Sequence, residues 1–232
     1  MKELFYSDLH TIDYKEAWDL QKNIFELRYK KEIPDVLFLL EHPHTYTLGR
    51  VTDKAHLIGS QEYLDQNHIS VYDIDRGGDI TYHGPGQIVG YPIIDLNQWH
   101  KDTHKYLRGL EEIIITTLSE YGIFAIRDPE HTGVWIDNRK IAAIGIKVSR
   151  WITMHGFAFN INSDLSLFNG IIPCGIFHKD VTSLSKELNR IVDLLEVKNK
   201  LLNNFTQFFG YDSVNTLLKE DVLSLPLTAK GS

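Results

Sequence analysis

One cysteine, Cys174, stands between Pro173 and Gly175 in a chain of 232 residues. A thiol attacks as its thiolate, and at an ordinary pKa of about 8.5 only a few per cent ionises at neutral pH. A nearby cation or helix N-terminus would raise that fraction, each unit of downward shift favouring the thiolate by about 1.4 kcal/mol. The candidate cation is Lys140 in NRKIAAIG, where Ala142, Ala143 and Gly145 are small enough to let a ligand lie close. His83, among glycines, and His155, in MHGFAFN, have the titration range of proton carriers. In this functional reading the four would serve nucleophilic catalysis by an activated thiol. Each also has a plain structural reading: a small buried hydrophobe for the cysteine, a solvated turn residue for the lysine, a hydrogen-bonded core residue for either histidine.

The densest signal runs from Arg76 to Pro92, RGGDITYHGPGQIVGYP. Gly77, Gly78, Gly84, Gly86 and Gly90 surround Thr81, Tyr82, His83 and Gln87. So much glycine would weaken a strand interior, and the segment is too polar and interrupted for an amphipathic helix. Glycine at this density suits backbone that turns tightly or approaches something closely. A molecule bound along the main chain is one such case, and a pair of tight surface turns is the other. The apolar run IVGYPII reads as a buried strand, which sets the glycines at a scaffold edge.

The surrounding elements follow from periodicity. A short opening strand is expected at 4–9, then a helix from Asp13 or Tyr14 ending near Glu32–Pro34, with Trp18, Ile24 and Leu27 at near-helical spacing. Val36–Leu40 reads as a buried strand, Thr45–Leu48 as a second short strand or a turn, and 60–67 as one or two helical turns capped by Ser60. Ile69, Val71 and Ile74 alternate into the glycine-rich block. Leu107, Leu110, Ile114 and Leu118 mark a long helix stopped by Gly122. Two turns, at Asp137–Arg139 and Ser149–Trp151, join antiparallel strands that end in the alternating Phe157, Phe159 and Ile161. A loop carries Cys174. A helical region follows, with Ser183 or Ser185 as cap and Glu187 near the capping-box position. A further amphipathic helix within 191–209 stops at Gly210.

The chain suffices for one substantial core, so a single catalytic domain over 1–232 is expected, with 211–232 a peripheral tail. An apolar fraction of 43% and a charged fraction of 24% are those of a soluble globular protein. A net charge of -7 argues against a nucleic-acid partner, which calls for a concentrated basic face. Arg28, Lys30 and Lys31 are one local basic candidate, and Lys101, Lys105 and Arg108 another. A lone cysteine excludes an intrachain disulfide and a CxxC metal or redox pair. His100 and His104, four apart, read as exposed helix residues, so no metal site is expected. Neither a secretory signal nor a run of about 20 apolar residues is present, which leaves no membrane role and a reducing cytoplasm as the expected setting.

Three blocks in order, RGGDITYHGPGQ at 76–87, KIAAIG at 140–145 with HGFAFN at 155–160, and PCG at 173–175, resemble the octanoyltransferases of lipoate biosynthesis. The likeness spans roughly residues 36 to 188, and its first block is highly specific. The resemblance implies an α+β fold like the catalytic domain of biotin and lipoate protein ligases: a mixed β-sheet, a smaller second sheet and flanking helices. It implies Cys174 as acyl-thioester nucleophile and Lys140 as its activating partner. The implied substrate-contacting stretches are Arg76, Gly77, Gly78, Asp79, Ile80, Thr81, Tyr82 and His83; Ala143, Ile144 and Gly145; and Gly156, Phe157 and Ala158. Two departures from the family pattern stand out. Asp79 occupies a variable position, and Ile176-Phe177-His178 follows PCG where smaller or aliphatic residues are common.

The activity so implied moves an octanoyl group from octanoyl-acyl carrier protein to a lysine of the lipoyl domains of 2-oxoacid dehydrogenase complexes and of the glycine cleavage H protein. A cysteine thioester would carry the group, and no cofactor is implied. An ATP-dependent lipoate or biotin protein ligase would use the glycine-rich block nearly as well but needs no cysteine nucleophile. A non-catalytic protein that binds acyl carrier or lipoyl domains is the third reading.

Overall fold

The computed structural model describes residues 1–172 and 180–225, and the Pro-Cys-Gly segment with Cys174 lies outside the described residues. The first strand, β1 (Glu3–Thr11), leads into helix α1 (Tyr14–Tyr29), whose first turn is closed by the Asp13 carboxylate accepting from the Lys15 and Glu16 amides. The helix ends earlier than the Glu32–Pro34 expected, because Lys31 turns left-handed at φ 63°. Behind it, β2 (Asp35–Glu41) pairs parallel to β1, while β6 (Gln87–Ile93) pairs antiparallel to β2. Every residue of β2 from Asp35 to Leu40, and of β6 throughout, is buried. The unbroken apolar runs FLL and IVGYPII reflect strands covered on both faces.

The sheet continues through β10 (Ile152–Asn160) and β9 (Arg139–Ser149) to β8 (Val134–Ile136) and the edge strand β7 (Ile126–Arg127), all antiparallel. On one face α1 packs Leu20, Ile24 and Leu27 with Val36, Phe38, Val89, Met154 and Ala158. On the other, α3 (Thr103–Ser119) and α5 (Leu194–Phe209) bury Leu110, Ile114, Val197, Leu201 and Phe205 with Leu37, Ile88, Phe157 and Phe159. Strand alternation thus divides neighbouring residues between two cores. Gly122 (φ 72°) and Gly210 (φ 68°) stop the two helices in the left-handed conformation that glycine tolerates.

A second, three-stranded sheet centres on β3 (Thr45–Leu48), flanked by β4 (Ser70–Asp73) in parallel and β5 (Thr81–His83) antiparallel. Helix α2 (Gln61–Gln66), capped as expected by Ser60, covers it. The architecture is therefore the mixed main sheet, smaller second sheet and flanking helices of an α+β fold. Helix α4 (Leu184–Leu188) takes Ser183 as its cap, bonded to the Lys186 amide, but Glu187 sits one position too late for a capping box. Its carboxylate binds Arg139 at 2.6 Å instead.

Two further expectations from the sequence change. Arg28 is no surface cation: it is buried, with Nε 2.7 Å from Asp35 and a terminal nitrogen 3.6 Å from Asp95. Within 211–232, Ser213–Thr216 forms β11, pairing parallel to β1, and Val222 of α6 (Lys219–Leu223) is buried in the α1-side core. All four β11 residues are exposed, so no burial pattern marked the strand. No helix among the described residues is long and apolar enough to cross a membrane.

Candidate active site

A cavity of about 540 Å³ opens between the two sheets, within the range of small-ligand sites. Its walls are built first by glycine. The chain from Arg76 to Gly78 lies across β9, and the Gly77 amide donates to the Ile146 carbonyl at 2.9 Å. A Cβ at Gly145 would stand 2.8 Å from Arg76 Cδ and 2.9 Å from the Gly77 oxygen, so that seat exists only for glycine. The turn 84–86 is fixed from the other side: Gly86, at φ 79°, donates to Glu41, and its carbonyl accepts from the Ile161 and Asn162 amides. The glycine-rich block thus turns tightly at Gly78 and Gly86, both at positive φ, and also lines the cavity.

Arg76, Gly77, Gly78, Asp79, Ile80, Thr81 and His83 all line the cavity, with Ala143, Ile144 and Gly145 from β9 and Gly156, Phe157 and Ala158 from β10. Tyr82 does not line it. Strand alternation in β5 sends its ring into the small-sheet core against Phe168, with its hydroxyl 2.9 Å from His44 Nδ1. Asp79 has a job the sequence did not indicate: one carboxylate oxygen accepts from the Ile80 amide and the other lies 2.6 Å from His56 Nδ1.

Lys140 also lines the cavity, 8% exposed, with its ammonium 4.7 Å from the centre of the Trp135 ring. This corrects the plain reading of a solvated turn lysine. Its backbone is tied on both sides to the chain beyond the cysteine segment: the Lys140 amide donates to Asp180, and its carbonyl accepts from Thr182, each at 2.9 Å. On the entry side, the Ile172 amide donates to the His56 carbonyl at 2.8 Å, and Ile171 pairs with Leu57. Ile172 and Asp180 are thus bonded, respectively, to His56, which holds Asp79, and to Lys140. Cys174 itself lies outside the described residues.

The histidines differ in their roles. His83 is buried at the cavity wall, its Nδ1 2.9 Å from Gln87 Oε1 and its Nε2 3.3 Å from Thr47 Oγ1. Burial first, then the charges of His42 and Arg76, push its pKa well below the usual value. His155, left-handed at φ 57°, places Nε2 2.9 Å from Asp75, and its Nδ1 has no partner among the described residues. Burial lowers its pKa although Asp75 opposes the shift. Hydrogen bonds from His155 and Lys147 hold the Asp75 carboxyl well below the usual range.

Several wall residues gave no signal in the sequence. Tyr14 stacks on His83 at 5.8 Å from the first turn of α1, where an aromatic reads as core. Tyr91 donates from its hydroxyl to His42 Nε2 at 2.8 Å; the direction follows because His42 Nδ1 faces the Ile12 carbonyl, which only accepts. Asn160, Val89 and Leu107 complete the apolar and polar walls. Of the second basic candidate, Arg108 pairs with Glu111 at 2.7 Å and the Lys105 ammonium lies 5.5 Å from the centre of the Trp99 ring, while Lys101 is exposed.

Residues 13–206 match the family model for the lipoyl protein ligase A/B catalytic domain. An octanoyltransferase of Christiangramia forsetii is 51% identical over 225 residues, covering 90% of this chain and 96% of the relative. One from Rubrobacter xylanophilus is 50% identical over 199 residues, covering 85% and 89%. Among solved structures, a lipoate-protein ligase A bound with ATP superposes with a TM-score of 0.76 at 16% identity, covering 96% of this chain and 92% of that one. A biotin protein ligase from Aquifex aeolicus in complex with biotin and ATP gives 0.52 at 13%, covering 90% and 71%. At such identities these two speak for the fold.

Proposed function

The chain belongs to the lipoyl protein ligase A/B catalytic-domain family, and from that membership we propose a two-step reaction in which Cys174 carries the acyl group between two protein partners. The activity is octanoyl transfer in lipoate biosynthesis, an acyltransferase reaction, and lipoyl domains are the acceptors. The donor is octanoyl-acyl carrier protein, and the acceptors include those of 2-oxoacid dehydrogenase complexes and the glycine cleavage H protein. The setting is the cytoplasm, whose reducing poise keeps a nucleophilic thiol free.

In the first step the Cys174 thiolate adds to the thioester carbonyl of the donor. The tetrahedral adduct collapses with loss of the phosphopantetheine thiolate, which takes up a proton, and the enzyme keeps a new thioester. In the second step the acceptor lysine, as neutral amine, adds to that carbonyl. A C–N bond forms, Cys174 leaves as thiolate, and the nitrogen sheds one proton. The Lys140 ammonium stabilises the thiolate at both stages, and backbone N–H groups beside Cys174 and Gly175 serve the oxyanion. The octanoyl chain lies in the cavity, each buried CH₂ contributing about 0.8 kcal/mol. Thioester exchange is nearly even and amide formation from a thioester is downhill, so ATP has no role.

The observation that carries this reading is the gathering of the motif blocks. Residues of those at 76–83, 140–145 and 155–160 wall one cavity, and Lys140 in that wall bonds Asp180 through its backbone amide. Intact-protein mass spectrometry after incubation with octanoyl-acyl carrier protein, without ATP, tests it beside Cys174→Ala. One octanoyl unit gained by the parent alone, and discharged by a lipoyl domain, is the expected result. Lipoyl-domain acylation that requires free octanoate and ATP, with no adduct, would overturn it.

A further inference from the structure

Building on the transfer reaction above, the polar wall behind His83 determines which of its nitrogens carries the proton. The antiparallel register of β10 on β6 sets Asn160 directly opposite Gln87. Asn160 Nδ2 lies 3.0 Å from the Thr182 carbonyl, and Gln87 Nε2 lies 3.1 Å from the Tyr82 carbonyl and 2.9 Å from Asn160 Oδ1. Backbone carbonyls only accept, so each amide turns its NH₂ toward them. Gln87 Oε1 is then left facing His83 Nδ1 at 2.9 Å, and that nitrogen must bear the hydrogen. Thr47 Oγ1, which accepts from Arg76 at 3.0 Å, has its own hydrogen free for His83 Nε2 at 3.3 Å, a long contact that a better donor can replace.

We propose that Gln87 and Asn160 are positioning residues for the second half-reaction: they hold His83 as its Nδ1–H tautomer, so that Nε2 accepts a hydrogen bond from the amine of the incoming lysine. The same relay ends on Thr182, whose amide bonds Lys140, so the acceptor nitrogen and the activating lysine are set by one continuous frame. The groups facing His83 are Arg76, the Tyr14 ring from α1, His42 beyond the end of β2, and His155 from β10. With burial, the cations and histidines among them favour the neutral ring that the tautomer requires.

Long-range ¹H–¹⁵N correlation on histidine-labelled full-length protein reads the tautomer directly, with His83 identified by its loss in His83→Gln. A protonated Nδ1 and bare Nε2 are expected; the reverse would overturn the inference. Gln87→Glu sets a carboxylate against Nδ1 and favours the imidazolium, which has no lone pair at Nε2. Discharge of preloaded octanoyl-enzyme should then fall at least tenfold near pH 6 and recover toward pH 9, with loading unchanged. Gln87→Leu, which frees the tautomer, should slow discharge without that recovery. Discharge in Gln87→Glu that parallels the parent at every pH would leave the glutamine a packing role only and overturn the proposal. Failure of the parent to form an octanoyl-enzyme would instead overturn the covalent reading, which the tautomer measurement does not depend on.

Discussion

Gly145→Ala should separate loop seating from folding. The new methyl would start 2.8 Å from Arg76 Cδ and 2.9 Å from the Gly77 carbonyl oxygen, about 0.5 Å inside ordinary contact. Relieving it by lifting the 76–78 segment stretches the Gly77 amide to Ile146 carbonyl bond from 2.9 Å to roughly 3.4 Å, beyond its useful range. The bond contributes about 1 kcal/mol, and overpacking costs about 1–3 kcal/mol in all. For a chain of this size that lowers the melting midpoint by roughly 2–12 °C, so the protein stays folded at 25 °C. The effect on transfer should be larger, about 10–100-fold, because the displaced segment carries Arg76 to His83 along the cavity wall. Gly77→Ala is the stability control, since its methyl meets only the Ile146 carbonyl at an ordinary 3.4 Å. Octanoyl-enzyme loading and lipoyl-domain discharge, each measured beside thermal melts, give the answer. A Gly145→Ala protein that transfers at the parent's rate would refute the claim that this strand seats the glycine-rich segment.

Acid should destabilise the protein before its carboxylates titrate. Burial holds His42 neutral, with its pKa pushed down to about 4, whereas the unfolded chain binds a proton there near 6.5. Stability from this histidine is complete above about pH 6.5 and lost as pH falls toward 4, on the order of 2 kcal/mol by pH 5; His83 and His155 act in the same direction. Urea titrations at pH 7.5 and 5.0 measure the difference, and equal midpoints would contradict the buried neutral state. Tyr91→Phe removes the donor to His42 Nε2 and should cost about 1–3 kcal/mol, read as a lower melting midpoint. Lys140→Met keeps the length and apolar contacts of the side chain while removing the cation. Loading should slow about 10²-fold at pH 7 and recover as pH approaches the free thiol's value, and a pH-independent loss would argue against thiolate stabilisation.

The sequence revealed most where one residue's environment depends on its near neighbours. The helix stops at Gly122 and Gly210, the Ser60 cap and the buried runs in β2 and β6 all follow from local pattern. Periodicity failed where burial is absent or shared: β11 is wholly exposed, and its pairing to β1 joins residues about 210 positions apart. The face taken by Tyr82 needed the alternation of β5 to be anchored in space. Arg28 read as one cation in a basic cluster, yet the structure turns it inward because Asp35 and Asp95 converge there from β2 and the end of β6.

The site shows the same division, and the division explains why the polar wall escaped notice. Cavity-lining glycines announce themselves because their excess has few other uses. A glutamine and an asparagine 73 residues apart carry no such mark, and their meaning comes from register alone. Sliding β10 by one residue on β6 would send Asn160 to the opposite face and bring an apolar side chain against Gln87, because strand side chains alternate. The amide chain would lose this route from the Thr182 carbonyl to the imidazole, although every residue in it remained. The buried alternation of Phe157, Ala158 and Phe159 between two cores prevents that slip. The apolar residues that make the strand fold therefore also fix which nitrogen of His83 bears a proton, and a core mutation that loosens this register should disturb the tautomer before it disturbs the fold.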